Sequence, residues 1–314
     1  MEEALYSDLG FFNTDQVRSD KEGDFLTSPE VSKYFGKIIR NWIHSESNLK
    51  NIIEIGSGTG SLIEQIGIKE ITAVELSSTA REELIKKGID THTTIDELTT
   101  KTSDLIFGNE ILDNIPCSIG LYKDEGWYEK VVLLEENSLA YGLRPIRNKE
   151  LDWINKNNIV PNEDYEFEIQ VNIDKFLNSV IKKINPGKIL LFDYGYEQKN
   201  RDKRMYSSLL RTYKNHHLSV DPIDDPGNID ITYDVNFSSI SSELKYLGYD
   251  VTLKLQRDFL LDNGFNIFFD ELQEKYIAAE GIEKLKINSE LNGMKAIVDS
   301  NGLGGFYCLI AEKL

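Results

Sequence analysis

Two groups of acidic and small residues carry whatever chemistry this chain performs. The first is Asn51–Ile63, an apolar stretch running through Gly56, Ser57, Gly58 and Gly60 into a helical pattern. Glycines between a strand and a helix permit a tight turn and let a ligand approach the backbone at the helix N-terminus. Glu54 sits inside the apolar stretch, where a carboxylate is costly unless it meets a cation or a donor. A second apolar run, Ile71–Leu76, ends in Glu75 and Leu76 about 20 residues after the turn, the spacing at which an acid accepts hydrogen bonds from a ribose diol. The second group is Ser103–Pro116, where Asn109, Glu110 and Asp113 follow another apolar run. Acids three apart on a helical turn share a face and can hold a guanidinium through charge-assisted hydrogen bonds. Acids at a helix N-terminus are also favoured by the dipole alone, so the segment by itself leaves both readings open.

These residues need a scaffold that delivers them to one edge. Asn51–Ile55, Ile71–Leu76, Asp104–Phe107 and Lys188–Asp193 read as buried parallel strands. Between them lie helical patterns at Ser61–Gly67, Thr79–Gly88 and Ile173–Ile184, the last ended by Asn185, Pro186 and Gly187. Strand–helix alternation of this kind makes a doubly wound α/β sheet, whose ligands bind at the carboxyl ends of the strands. Asp193 and Tyr194 reach that edge as well and stand as further site candidates. Ahead of the sheet, Val31, Tyr34, Phe35, Ile38, Ile39 and Trp42 repeat at helical spacing over Glu30–Ile43, behind Ser28 and Pro29. Pro116–Pro145 reads as hairpins, Glu197–Asn228 as a long polar loop, Phe237–Gly248 as a helix and Tyr249–Leu255 as a strand. Asp258–Val298 is mostly helical, and Phe306–Glu312 is a closing strand.

Composition excludes several classes. The 314 residues carry 35 Lys+Arg against 53 Asp+Glu, a net charge of −18, which disfavours a nucleic-acid partner and suits a cationic substrate. No apolar run is long enough to span a membrane. Cys117 and Cys308, far apart, make neither a disulfide framework nor a structural zinc site, and no metal site is expected. The start, Met1 to Leu5, has no basic or Arg/Ser-rich leader, so a cytoplasmic location is the expectation. Lys199, Arg201, Lys203, Arg204 and Arg211 read as a solvated loop face. His216 and His217 read either as loop histidines or as site histidines.

The glycine spacing resembles motif I of class I S-adenosylmethionine (SAM) methyltransferases. Over about residues 20–310 the chain also resembles the MidA family, on Gly23–Gly36, Asn109–Pro116, Gly126–Val132, Phe192–Gly195 and Pro226–Phe237. That resemblance implies a class I SAM-methyltransferase fold, a Rossmann-like seven-stranded sheet with one antiparallel edge strand, inserted hairpins and a helical substrate-side segment. It divides the chain into an N-terminal lid and helix (1–48) and a catalytic domain (49–314) with insertions near 117–165, 197–230 and 258–300. It implies SAM as cofactor, held by Thr27, Ser28, Glu54, Gly56, Ser57, Gly58, Gly60, Glu75, Leu76 and Asn109. Glu110, Asp113, Asp193, Tyr194 and His217 fall to the substrate side, with His216 an alternative register for the family histidine. The family also departs here: the extension that precedes Gly23 in its members is nearly absent, and the interval from Gly60 to Asn109 is short. Arginine N-methylation, methylation of a metabolite oxygen or amine, and a SAM-binding assembly factor all remain open. The oligomeric state is not legible.

Overall fold

The computed structural model describes residues 1–13, 27–46, 49–99, 103–136, 138–203, 209–214, 217–218 and 221–313, the side chains of 185, 202, 203, 214, 217 and 218 apart. Its centre is a seven-stranded sheet of β1 (Ile52–Ile55), β2 (Ile71–Val74), β3 (Thr91–His92), β4 (Ser103–Asn109), β5 (Ile184–Asp193), β6 (Asp250–Leu255) and β7 (Tyr307–Lys313). The spatial order is β6-β7-β5-β4-β1-β2-β3. The run β5-β4-β1-β2-β3 is parallel throughout. In β4, Leu105 and Phe107 join one apolar layer and Ile106 the other, as strand alternation demands. The first layer holds the helix Tyr34–Ser45, which buries Phe35, Ile38, Ile39 and Trp42, together with the helices after β6. The second layer is built by Val171–Ile181 and Phe237–Tyr246. The α/β class, the seven strands and the parallel run are thus as the sequence reads.

Four local expectations are corrected. The antiparallel strand is not at the edge: β7 lies between β5 and β6 and opposes both. The cause is the route of the chain. After β6 the helices Gln256–Asp262, Phe265–Ala278 and Gly281–Ile297 return it to the end where β5 and β6 finish, and Gln256 N–H donates to the Phe306 carbonyl at 2.7 Å. A strand entering there must run backwards.

Second, Glu30–Ile43 is not one helix. Ser28–Val31 forms a single turn, Ser32 is extended (φ −151°), and a new helix begins at Tyr34. Third, Asn185, Pro186 and Gly187 do not end a helix but lie in β5, at a register shift opposite Ser103 and Leu105. Gly187 is required there, because a Cβ would stand 2.7 Å from the Asp104 carbonyl oxygen.

Fourth, Glu197–Asn228 is not a structureless loop. It contains the helical turn Gln198–Lys203 and the strands Leu210–Lys214 and His217–Leu218, the first of which pairs antiparallel with Asp230–Tyr233. Its polar sequence misleads because one face of this small sheet borders a cavity, while the other packs Ile229 and Ile231 on Leu5 and Phe11. The remaining insertion is the antiparallel sheet of Ser118–Lys123, Gly126–Glu135, Ser138–Pro145 and Tyr165–Ile169. Among the described residues, no helix is long and apolar enough to cross a membrane.

Candidate active site

A cavity of about 830 Å³ opens at the carboxyl ends of β1, β2, β4 and β5, where the crossover connections diverge. Its first wall is the glycine turn. Gly56, Gly58 and Gly60 all take positive φ (68°, 50° and 83°), which L side chains rarely adopt. Gly58 N–H donates to the Glu75 carboxylate at 2.8 Å, and Ser77 N–H donates to its other oxygen at 2.8 Å. Glu75 therefore locks the turn to β2 and keeps spare lone pairs toward the cavity. Leu76 beside it is half-exposed and lines the same wall. Glu54 is buried in β1, and its Oε2 has no hydrogen-bond partner among the described residues. Burial holds its carboxyl well above the usual range. Gly60 does not face the cavity: it lets the next helix pack, since a Cβ there would meet Leu84 at 2.7 Å.

The second wall is the turn after β4. Glu110 takes φ +52°, its N–H donates to the Phe192 carbonyl at 2.8 Å, and its Oε1 accepts from Asn109 Nδ2 at 2.9 Å. Burial, then the charge of Asp113, pushes the Glu110 carboxyl up to about 8. Asn109 Oδ1 is buried without a partner among the described residues. Asp113 Oδ2 accepts from Thr232 Oγ1 at 2.6 Å and from the Tyr194 hydroxyl, while its Oδ1 has no partner there. Burial holds the Asp113 carboxyl above its usual range, with these two hydroxyls opposing the rise.

Asp193 is corrected from substrate contact to positioning. It is fully buried and does not line the cavity. Its Oδ2 accepts from the N–H groups of Leu112 (2.8 Å) and Asp113 (3.3 Å), and its Oδ1 accepts from Tyr194 N–H at 2.9 Å. It fixes the turn that presents Asp113. Tyr194 does line the cavity.

The third wall comes from the N-terminal segment. Thr27 and Glu30 line the cavity and cap each other: Thr27 N–H donates to Glu30 at 2.8 Å, and the Thr27 hydroxyl meets the same oxygen. Ser28 is corrected as a cofactor ligand by side chain, because its hydroxyl turns away to the buried Gln256 amide at 3.2 Å. Its backbone N–H instead faces Glu110. His217 lies in a short strand with its side chain outside the described residues, and His216 lies wholly outside them, as do residues 23–26 of the N-terminal block.

Sequence reading missed Arg211. It is buried, not solvated: its guanidinium stacks 4.9 Å from the Tyr194 ring centroid and pairs with Asp234 at 2.8 Å. Arg201 is buried too, over the Tyr165 ring. Asp230 and Thr232, two apart on one strand face, were also missed. Asp230 accepts from Asn114 Nδ2 at 3.0 Å, so the strand grips both ends of the Asp113–Asn114 turn. The signal was present in the alternation of Ile229 and Ile231 with Asp230 and Thr232. Among the described residues, seven carboxylates line the cavity (Glu30, Glu54, Glu75, Glu110, Asp113, Asp230 and Asp234), and Arg211 lines it with them.

Comparison with known proteins matches residues 36–252 to a family described as "Putative S-adenosyl-L-methionine-dependent methyltransferase". The chain belongs to this family. It is a SAM-dependent methyltransferase, and its cofactor is SAM. The sequence is 26% identical over 298 residues to a Caenorhabditis elegans protein named protein arginine methyltransferase NDUFAF7 homolog, mitochondrial, covering 81% of this chain and 68% of that one. The Drosophila melanogaster protein of the same name is 24% identical, with 70% and 60% covered. The Danio rerio NDUFAF7 is 25% identical, with 85% and 72% covered. The chain thus spans 60 to 72% of the length of these relatives. A crystal structure of a Burkholderia thailandensis protein bound to S-adenosyl-homocysteine superposes with a TM-score of 0.85 at 22% identity, over 99% of this chain and 86% of that one. It establishes the shared fold. The cytoplasmic expectation does not stand, because the curated relatives are named as mitochondrial proteins.

Proposed function

We propose that this methyltransferase transfers methyl groups to an arginine guanidinium, in a protein, a peptide or the free amino acid. One observation carries the reading: Glu110 and Asp113 stand on one turn at the cavity wall, neither ion-paired among the described residues, in a cavity with a large excess of acid. The names of the curated relatives point the same way. Glu54, Gly56, Ser57, Gly58, Glu75, Leu76 and Asn109 would hold the cofactor. The orphaned Glu54 Oε2 and Asn109 Oδ1 are acceptors suited to its ammonium group, and Glu75 to its ribose diol. SAM supplies an electrophilic methyl on a sulfonium.

The acids do the rest. A guanidinium is a poor nucleophile because its lone pairs are delocalised. Bidentate contact with Glu110 and Asp113 would fix one nitrogen in line and stabilise charge that localises on it. A carboxyl near pKa 8 is mostly protonated at neutral pH, so an arriving cation ionises Glu110 and displaces its proton. Tyr194 and Thr232 hold Asp113 in place through its other oxygen. The product's proton can leave after transfer has begun, so no strong base is needed.

The test is incubation of the purified protein with isotopically methyl-labelled SAM and host lysate, with mass spectrometry to locate the label. Label on arginine nitrogen is expected. Label confined to hydroxyls or other amines would reject the reading.

A further inference from the structure

The strands Gly126–Glu135 and Ser138–Pro145 outrun their sheet. Strand Ser118–Lys123 pairs with the first of them only as far as Lys130, opposite Ile119. Beyond that point the two strands continue as a two-stranded ribbon, closed at Glu135 and Ser138. Register places Val132 opposite Tyr141, Leu134 opposite Leu139 and Lys130 opposite Leu143, so these side chains share one face. Beyond Lys130, whose ammonium pairs with Glu166 and lies over the Tyr141 ring, that face is apolar and open: Leu134 is 75%, Val132 50% and Leu143 48% exposed, with Tyr141 and Leu139 also exposed. A bare two-stranded ribbon is marginal in water, and a contiguous apolar face of this kind marks a contact surface.

The face is also aimed. The Tyr141 hydroxyl donates to the exposed Asp221 carboxylate, so the apolar side of the ribbon turns toward the segment 221–228. That segment carries Asp221, Asp224 and Asp225 and leads directly into the strand Asp230–Tyr233, whose Asp230 lines the cavity. An apolar stripe, an acidic strip and an acidic cavity therefore follow one another.

Resting on the arginine reading in its polypeptide form, we propose that the ribbon is the surface on which the substrate polypeptide docks. Its methylated arginine lies in a basic stretch, and an extended stretch of alternating apolar residues nearby packs on Val132, Leu134, Leu139, Tyr141 and Leu143. Free arginine would have no use for the ribbon. Charge complementarity along the acidic strip selects the basic stretch, and the stripe of five apolar side chains selects the extended one.

The experiment uses the whole chain and two sets of fluorescent peptides. One set is a short basic peptide with a single arginine. The other adds an alternating Val/Ile/Tyr segment through spacers of about five, ten and fifteen residues, spanning roughly 16 to 50 Å when extended. Anisotropy titration should show at least tenfold tighter binding for the best extended peptide. The variant Leu134→Asp/Leu139→Asp should lose that gain and bind the short peptide as before. Both positions are exposed, and an unchanged melting curve checks the fold. Equal affinity for both peptide sets, or an extended peptide indifferent to the double variant, overturns the proposal. So does sedimentation showing a wild-type dimer that the double variant splits, since the face would then serve a second copy. If the extended peptide binds through the ribbon but no arginine accepts label from SAM, docking stands and the arginine chemistry falls.

Discussion

Replacing Glu110 by Gln separates the charge of that residue from its shape. In the free protein its carboxyl is pushed up to about 8 from an ordinary 4.5. A guanidinium needs the ionised form, so kcat/KM toward an arginine substrate should fall about tenfold per pH unit below 8, reaching roughly a hundredfold deficit at pH 6. The amide keeps the volume but offers donors where acceptors are required. Transfer should drop by at least about a hundredfold, and the slope below pH 8 should vanish. SAM affinity should survive.

Stability changes in the opposite sense. A folded pKa above the unfolded one makes a contribution fully present below about pH 4.5 and lost as pH rises through 8. The difference, 8 − 4.5 = 3.5 units, has a ceiling of about 5 kcal/mol, and partial exposure to the cavity reduces this to about 2–3. At roughly 2.1 cal/mol/K per residue the 314 residues give about 0.66 kcal/mol/K, so wild type should melt about 3–5 °C lower relative to Glu110→Gln at pH 9 than at pH 4. Single-turnover transfer and thermal melts across this pH range are the assays. A wild-type rate flat from pH 6 to 9, or a near-normal rate in Glu110→Gln, would refute the guanidinium clamp.

Three further outcomes are expected. Gly58→Val should abolish SAM binding in calorimetry, because a β-branched residue at φ +50° displaces the turn that Glu75 holds; retained affinity would count against the glycine turn as the cofactor wall. Asp193→Asn should cost about 2–4 kcal/mol in urea unfolding, since an amide group cannot accept from all three backbone N–H groups; a neutral result would remove its positioning role. Amide exchange over residues 27–36 should slow when SAM is added, as expected of a lid whose Thr27 and Glu30 line the cavity, and identical exchange with and without SAM would contradict closure.

The sheet was legible because its signal is local. Five-residue apolar runs such as Asn51–Ile55, punctuated by glycines, state both strand and turn, and Glu54 and Glu75 are conspicuous for being acids in such places. Glu110 and Asp113 were visible for the same reason. What was not legible depends on contacts remote in sequence. Arg211 looks like one more cation in a polar stretch until Asp234 and the Tyr194 ring bury it. Asp193 looks like a site acid until the Leu112 and Asp113 amides are seen to occupy it. Ser28 reads as a ligand in the N-terminal block because nothing nearby announces Gln256, 228 residues away. The misplaced antiparallel strand has the same origin: strand order is set by where helices return the chain, which no strand's own sequence records.

The interleaved β7 has a consequence for the birth of the enzyme. β5, which carries Asp193, leaves the ribosome 307 − 193 = 114 residues before the strand that covers its flank. At about 5–20 residues per second that is on the order of ten seconds of synthesis. Throughout that interval one backbone edge of β5, rich in Ile189, Leu190, Leu191 and Phe192, stays open to pairing with a neighbouring nascent chain. An unpaired apolar edge is a template for misassembly for as long as it lasts, so the fold is most vulnerable before its last strand arrives.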